Sequence, residues 1–184
     1  MATDSDAQGT SQQPEHVADL PRFLTRFITN PVGHIKEPSR LTWPAAFTLQ
    51  VAAAIVSGAL TSVVEKSALD LMISIFVFPV VMVMVGAVFT LFIYYYFAIF
   101  ARTYLDIRRL YSLVVIAMFP YFVIHALSGF LPPLDLIGVA LTGILLVVGL
   151  VEQFRLGRKP VAALVGTACV VFFVVWSAVQ YATA

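Results

Sequence analysis

The residue types that carry chemistry are few in this chain, and they do not cluster. Its histidines are His16, His34 and His125, and its one cysteine is Cys169. Metal centres draw imidazole and thiolate ligands from close spacings, so these four scattered positions make no ligand set. No pair of aspartates lies within an apolar stretch to activate water for proteolysis. Ser57-Gly58 and Ser128-Gly129 lack a glycine two positions upstream and so miss the usual pattern of an intramembrane serine nucleophile. A phosphate-cradling Gly-Lys loop is also missing. The expectation is a protein that is not an enzyme, with no cofactor and no resident metal.

Two polar side chains remain as candidates. His125 is the one histidine in an apolar stretch, about a turn from its end, with Ser128 one turn further on. An ionisable group in a membrane is a functional suspect, although a neutral imidazole near the interface costs little. Gln50 stands at helical depth in the first apolar stretch. It should hydrogen-bond across helices, with substrate contact as the alternative.

The elements that would position these residues follow from composition. Of the 184 residues 60% are hydrophobic and 11% charged, with a mean hydropathy of +0.94. A soluble domain carries about a quarter of its residues as charges. Lipid must therefore be the solvent for most of this chain. Cys169 lies in an apolar run, where it reads as a small buried hydrophobe, and a single cysteine allows no internal disulfide.

Uncharged stretches cover residues 41–64, 71–101, 110–134, 136–151 and 161–184. About 20 helical residues cross the hydrocarbon core. The fourth stretch is short, but Pro132-Pro133 ends the one before it, and Leu134 and Asp135 lengthen it. The sequence thus predicts an all-α polytopic membrane protein, a bundle of five transmembrane helices at roughly 44–64, 72–100, 110–130, 134–151 and 161–182. No stretch alternates polar and apolar strictly, which argues against a β-barrel.

Charge placement supports the count. Arg22, Arg26, Lys36 and Arg40 precede span 1; Arg102, Arg108 and Arg109 follow span 2; Arg155, Arg158 and Lys159 follow span 4. Only Lys66 lies in a loop of the other parity. The positive-inside rule then puts the N-terminus inside and the C-terminus outside. Arg22, Arg26, Arg102, Arg108, Arg109, Arg155, Arg158 and Lys159 are candidate contacts for lipid headgroups or a partner. Trp43, Tyr94, Tyr95, Tyr96, Trp176 and Tyr181 fall at interfacial depths.

Residues 1–19 are polar and of mixed charge, with no apolar core for a signal peptide, and read as a disordered cytoplasmic tail. Residues 20–40 form an amphipathic interfacial segment. Phe23, Leu24, Phe27 and Ile28 recur at helical spacing beside Arg22 and Arg26, so the apolar side should lie on lipid and the arginines should face headgroups. Asn30-Pro31 stops this helix, while Pro38 and Pro44 separate it from span 1. The segment serves as an anchor or as a docking surface.

Inside the spans, Pro79 and Pro120 should kink their helices, as packing devices or as hinges. Small residues recur four apart at Ala54 and Gly58, Gly138 and Thr142, and Ala162 and Gly166. This spacing admits a close helix, from the same chain or from a second copy.

Three features together resemble a known family. Phe27-Ile28-Thr29-Asn30-Pro31 leads into five close spans, and a basic loop from Arg102 to Arg109 enters a third span with Pro120 near its middle. Leu156-Gly157-Arg158-Lys159-Pro160 then leads into the fifth. Over roughly residues 20–182 this resembles the prokaryotic branch of the Yip (Ypt-interacting-protein) family. The resemblance implies five spans, a cytoplasmic N-terminus, no enzymatic activity and, for the prokaryotic branch, a bacterial or archaeal cytoplasmic membrane. Family members in eukaryotes bind small GTPases, but their Asp-Leu-Tyr-Gly-Pro and Gly-Tyr-Gly motifs do not occur here, so no GTPase-binding residue carries over. The expected function is a membrane scaffold, organiser or accessory subunit. Its partners would be the bilayer, itself or other membrane proteins, with no nucleic acid. The alternative is a small oligomeric transporter, channel or lipid-handling protein.

Overall fold

A computed structural model describes residues 17–36, 41–65, 68–128, 130–131 and 134–183. The tail at 1–16 lies outside the described residues, while Val17–Asp19 form a helical turn where a disordered tail is expected. Two short helices follow, α1 (Leu20–Thr29) and α2 (Pro31–Lys36). The long elements are α3 (Trp43–Glu65), α4 (Ala68–Phe100), α5 (Ile107–Ala117), α6 (Phe119–Ser128), α7 (Leu134–Phe154) and α8 (Arg158–Thr183). Among the described residues there is no β-strand.

Among the described residues, five segments are long and apolar enough to cross a membrane: Trp43–Val63, Leu71–Phe100, Ile107–Ser128, Leu134–Phe154 and Arg158–Val175. The number agrees with the sequence. Several helices run three residues past the uncharged stretches, because Arg108, Arg109, Glu152, Arg158 and Lys159 occupy helix ends with exposed or half-exposed side chains. Long charged side chains can reach water from such positions.

The third span is the centre. Every residue from 110 to 118 is buried, as expected for a helix enclosed on all sides. Around it, α3 packs on α4, α5 and α6, α4 also packs on α5, α7 packs on α5 and α6, and α8 packs on α7. The outer members are therefore the most exposed. Only 11% of the apolar window of α4 and 17% of that of α8 are buried, against 50% for the third span.

The two intramembrane prolines differ. The third span breaks at Met118, just before Pro120, whose missing N–H deprives the Ile116 carbonyl of its helical donor. The Met118 N–H donates to that carbonyl and to Val114 instead. In contrast, α4 stays helical through Pro79.

The pre-membrane segment packs in part against the bundle. Phe23 and Phe27 are buried and stack on each other, and Phe27 meets the Phe119 ring edge-on at 5.6 Å, beside the break. Gln153 of α7 donates to the Ile35 carbonyl at 2.7 Å, which fixes α2. Phe23 and Phe27 of α1 thus pack on the bundle, while Ile28 is exposed. The break at Met118 presents an aromatic surface there, and aromatic pairs add stabilisation beyond their area. Exposed Arg22 faces away; the side chains of Arg26, His34 and Lys36, like those of Trp176 and Tyr181, lie outside the described residues.

Candidate functional site

The polar side chains that bond helix to helix within the bundle fall into two groups, while Thr90 bonds within α4 and the Ser112 hydroxyl is buried without a partner. The first lies toward the end where α3 and α5 begin. Gln50 is wholly buried; its Nε2 donates to the Met82 carbonyl of α4 at 2.7 Å, and the Tyr111 hydroxyl donates to its Oε1. Room for the amide comes from Gly86, where a methyl group would sit 2.6 Å from Nε2. One side chain from α3 therefore ties α4 and α5 together. Trp43 and Phe47 close over Tyr111, with ring centres 5.4 and 5.1 Å away. Sequence reasoning picked out Gln50 but missed Tyr111 and Gly86. The available signal was that a buried amide needs both a donor and an acceptor.

The second group lies toward the opposite end. Ser57 donates to the Phe122 carbonyl at 2.6 Å and Thr61 to the His125 carbonyl at 2.8 Å, so two turns of α3 are pinned to α6. Ser62 bonds Ser74 of α4 at 2.7 Å, beside the close approach at Gly58, where an added methyl would meet the Ser74 Cβ at 3.0 Å.

His125 is not alone, as the sequence left it. Its Nδ1 lies 2.9 Å from Oδ1 of Asp135, and its ring is stacked between Phe78 at 4.9 Å and Tyr121 at 5.4 Å. The partner was findable. His125 is one turn before the end of α6 and Asp135 in the first turn of α7, so a tight antiparallel turn must bring them level.

This arrangement excludes a serine triad. Ser128 and Asp135 both approach Nδ1, at 3.3 and 2.9 Å, whereas a triad sets the carboxylate on one ring nitrogen and the hydroxyl on the other. Ser128 also donates to the His125 carbonyl at 2.8 Å, an ordinary local bond. No group of three or more metal-ligating side chains exists among the described residues.

The small-residue pairs divide by role. Ala54 and Gly58 are buried against α4, and Gly138 accepts Tyr121 so closely that a methyl there would lie 3.1 Å from its Cα. The Thr142 Oγ1 is buried without a hydrogen-bond partner. Ala162 and Gly166 are exposed, and nothing stands within 4 Å of the space a side chain at Gly166 would fill. The face of α8 that meets α7 consists of Val161, Leu164 and Val165 instead.

The basic loops share one end of the bundle. The guanidinium of Arg109, at the start of α5, lies 5.6 Å from the centre of the Phe154 ring at the end of α7. Asp106 caps α5 by accepting from the N–H groups of Arg108 and Arg109. Arg102 and Arg155 each follow a helix end in left-handed backbone, with φ of 50° and 53°, a position that glycine fills most cheaply.

Among curated proteins and among solved structures, no match was found. A family model, that of the Yip1 domain, matches residues 26–179. This match runs from the last turn of α1 through α2, the central third span and both basic loops, and the chain belongs to the Yip1-domain family of membrane proteins.

Proposed function

We propose that this protein is a non-catalytic membrane scaffold, organiser or accessory subunit, set with its N-terminus and basic loops on the cytoplasmic side. One observation carries the reading: polar side chains inside the bundle bond helix to helix, while the outer spans stay uncovered. Gln50, Ser57, Thr61 and Ser62 each reach a neighbouring helix. Such bonds in lipid fix geometry more than they add stability, at about 0.6 kcal/mol each on average. The opened faces of α4 and α8 belong to elements with room for lipid or another span. Solubilised protein should then purify as a homo-oligomer or with a stoichiometric membrane partner. A clean monomer without partners contradicts the scaffold.

The second reading, a small oligomeric transporter, channel or lipid-handling protein, draws on the His125–Asp135 pair, ionisable groups in a part-buried position. Flux or lipid scrambling in liposomes that disappears in His125→Ala would favour it. Wild-type liposomes without flux would end it.

A further inference from the structure

The turn between α7 and α8 carries Arg155, and Arg158 and Lys159 open α8, all three exposed. Among the described residues none of the three has a carboxylate at ion-pair distance, and the nearby Glu152 is itself exposed and unpaired. The loop has only three residues between the helices, so these cations are held within about a turn of one another. Arg109 adds a fourth positive charge beside them, fixed over Phe154.

What lies below these cations on α8 separates this loop from a merely basic surface. Arg158, Ala162, Gly166 and Val170 recur every four residues and share one helix face, and Lys159, Ala163, Thr167 and Val171 form the ridge beside it. All eight are exposed. The first ridge is headed by a cation, continues with two small residues and broadens at a valine. Four residues span about 6 Å of helix, so the small residues lie roughly 6–12 Å below the charge. Gly166 leaves open space there. The packing face of α8 is the other one, so this shallow strip has no structural neighbour to account for its small residues.

We propose that this corner holds one anionic phospholipid, with the phosphate on Arg155, Arg158 and Lys159 and an acyl chain along Ala162 and Gly166. A free phosphate would satisfy the cations alone. The continuity of charge with an exposed apolar strip selects the lipid. The proposal depends on the membrane setting and not on the scaffold reading, since a monomer could bind the lipid equally well.

Native mass spectrometry of the full chain, titrated with phosphatidylglycerol or with phosphatidylcholine of the same acyl chains, tests it. One phosphatidylglycerol should be retained in preference to phosphatidylcholine. A cation near the surface is worth about fivefold in affinity for anionic lipid, so R158Q/K159Q should weaken binding by roughly 25-fold. Gly166→Leu, which fills open space without changing charge, should weaken it severalfold, while Arg102→Gln at the end of α4 leaves it unchanged. The proposal is overturned if phosphatidylcholine binds equally, or if R102Q costs as much as R158Q/K159Q, which would mean diffuse charge attraction. It is also overturned if G166L has no effect, or if millimolar inorganic phosphate displaces the lipid completely.

Discussion

Gln50 and Tyr111, 61 positions apart in the chain, meet side chain to side chain inside the bundle, where the Tyr111 hydroxyl donates to the Gln50 amide oxygen. The same amide reaches α4, so removing it frees two helices at once. Replacing Gln50 with Leu should lower stability by about 1–2 kcal/mol, because it strands a buried hydroxyl as well as breaking two bonds. Tyr111→Phe in the Gln50→Leu background should then cost almost nothing further. Unfolding in mixed micelles measures this cycle, and additive losses would show that the two side chains do not act together.

Two glycines should respond in opposite ways to the same substitution. Gly86→Ala places a methyl 2.6 Å from the Gln50 Nε2, whose position is fixed by its bonds, and should cost about 1–3 kcal/mol. Combining it with Gln50→Ala should remove most of that penalty. Gly166→Ala meets open space and should be neutral or stabilising by up to about 1 kcal/mol through helix propensity. Thermal unfolding in detergent separates the two.

The span count was readable because length, hydropathy and the parity of basic loops constrain one another. Partners across the bundle were not, since an alignment of helices in a membrane follows from packing and leaves no periodic mark on a single chain. Gln50 advertises a need for partners without naming Tyr111. The repeat of small residues marked Gly58 and Gly166 alike, although one faces a neighbouring helix and the other faces away. Amphipathicity of α1 was equally plain, yet a helix with one apolar side fits lipid or protein. The Phe27–Phe119 contact puts one of its rings on the bundle, and Ile28 stays exposed.

That contact predicts how the pre-membrane segment is held. Phe27→Ala should loosen α1 from the break in the third span while the five spans remain folded. Limited trypsin digestion should cleave after Arg22 and Arg26 about tenfold faster than in the wild type, a factor equal to about 1.4 kcal/mol in the opening equilibrium. An unchanged rate would mean that Phe23 and the Gln153–Ile35 bond suffice to hold it.

Arg102 follows α4 with φ of 50°. Left-handed backbone costs a side-chain-bearing residue roughly 1–2 kcal/mol, so Arg102→Gly should raise stability by about 1 kcal/mol after its own entropy is counted. A lowered unfolding midpoint would show that the arginine side chain contributes more than the strain removes.

The most direct measurement concerns the sidedness of the basic loops, which the Arg109–Phe154 contact brings to a common end of the bundle. Single cysteines at Arg108, Lys159 and Leu131, introduced with Cys169→Ala, would be exposed to a membrane-impermeant maleimide in sealed vesicles. Positions 108 and 159 should label from one side and position 131 from the other. Labelling of 108 and 159 from opposite sides would contradict the five-span arrangement.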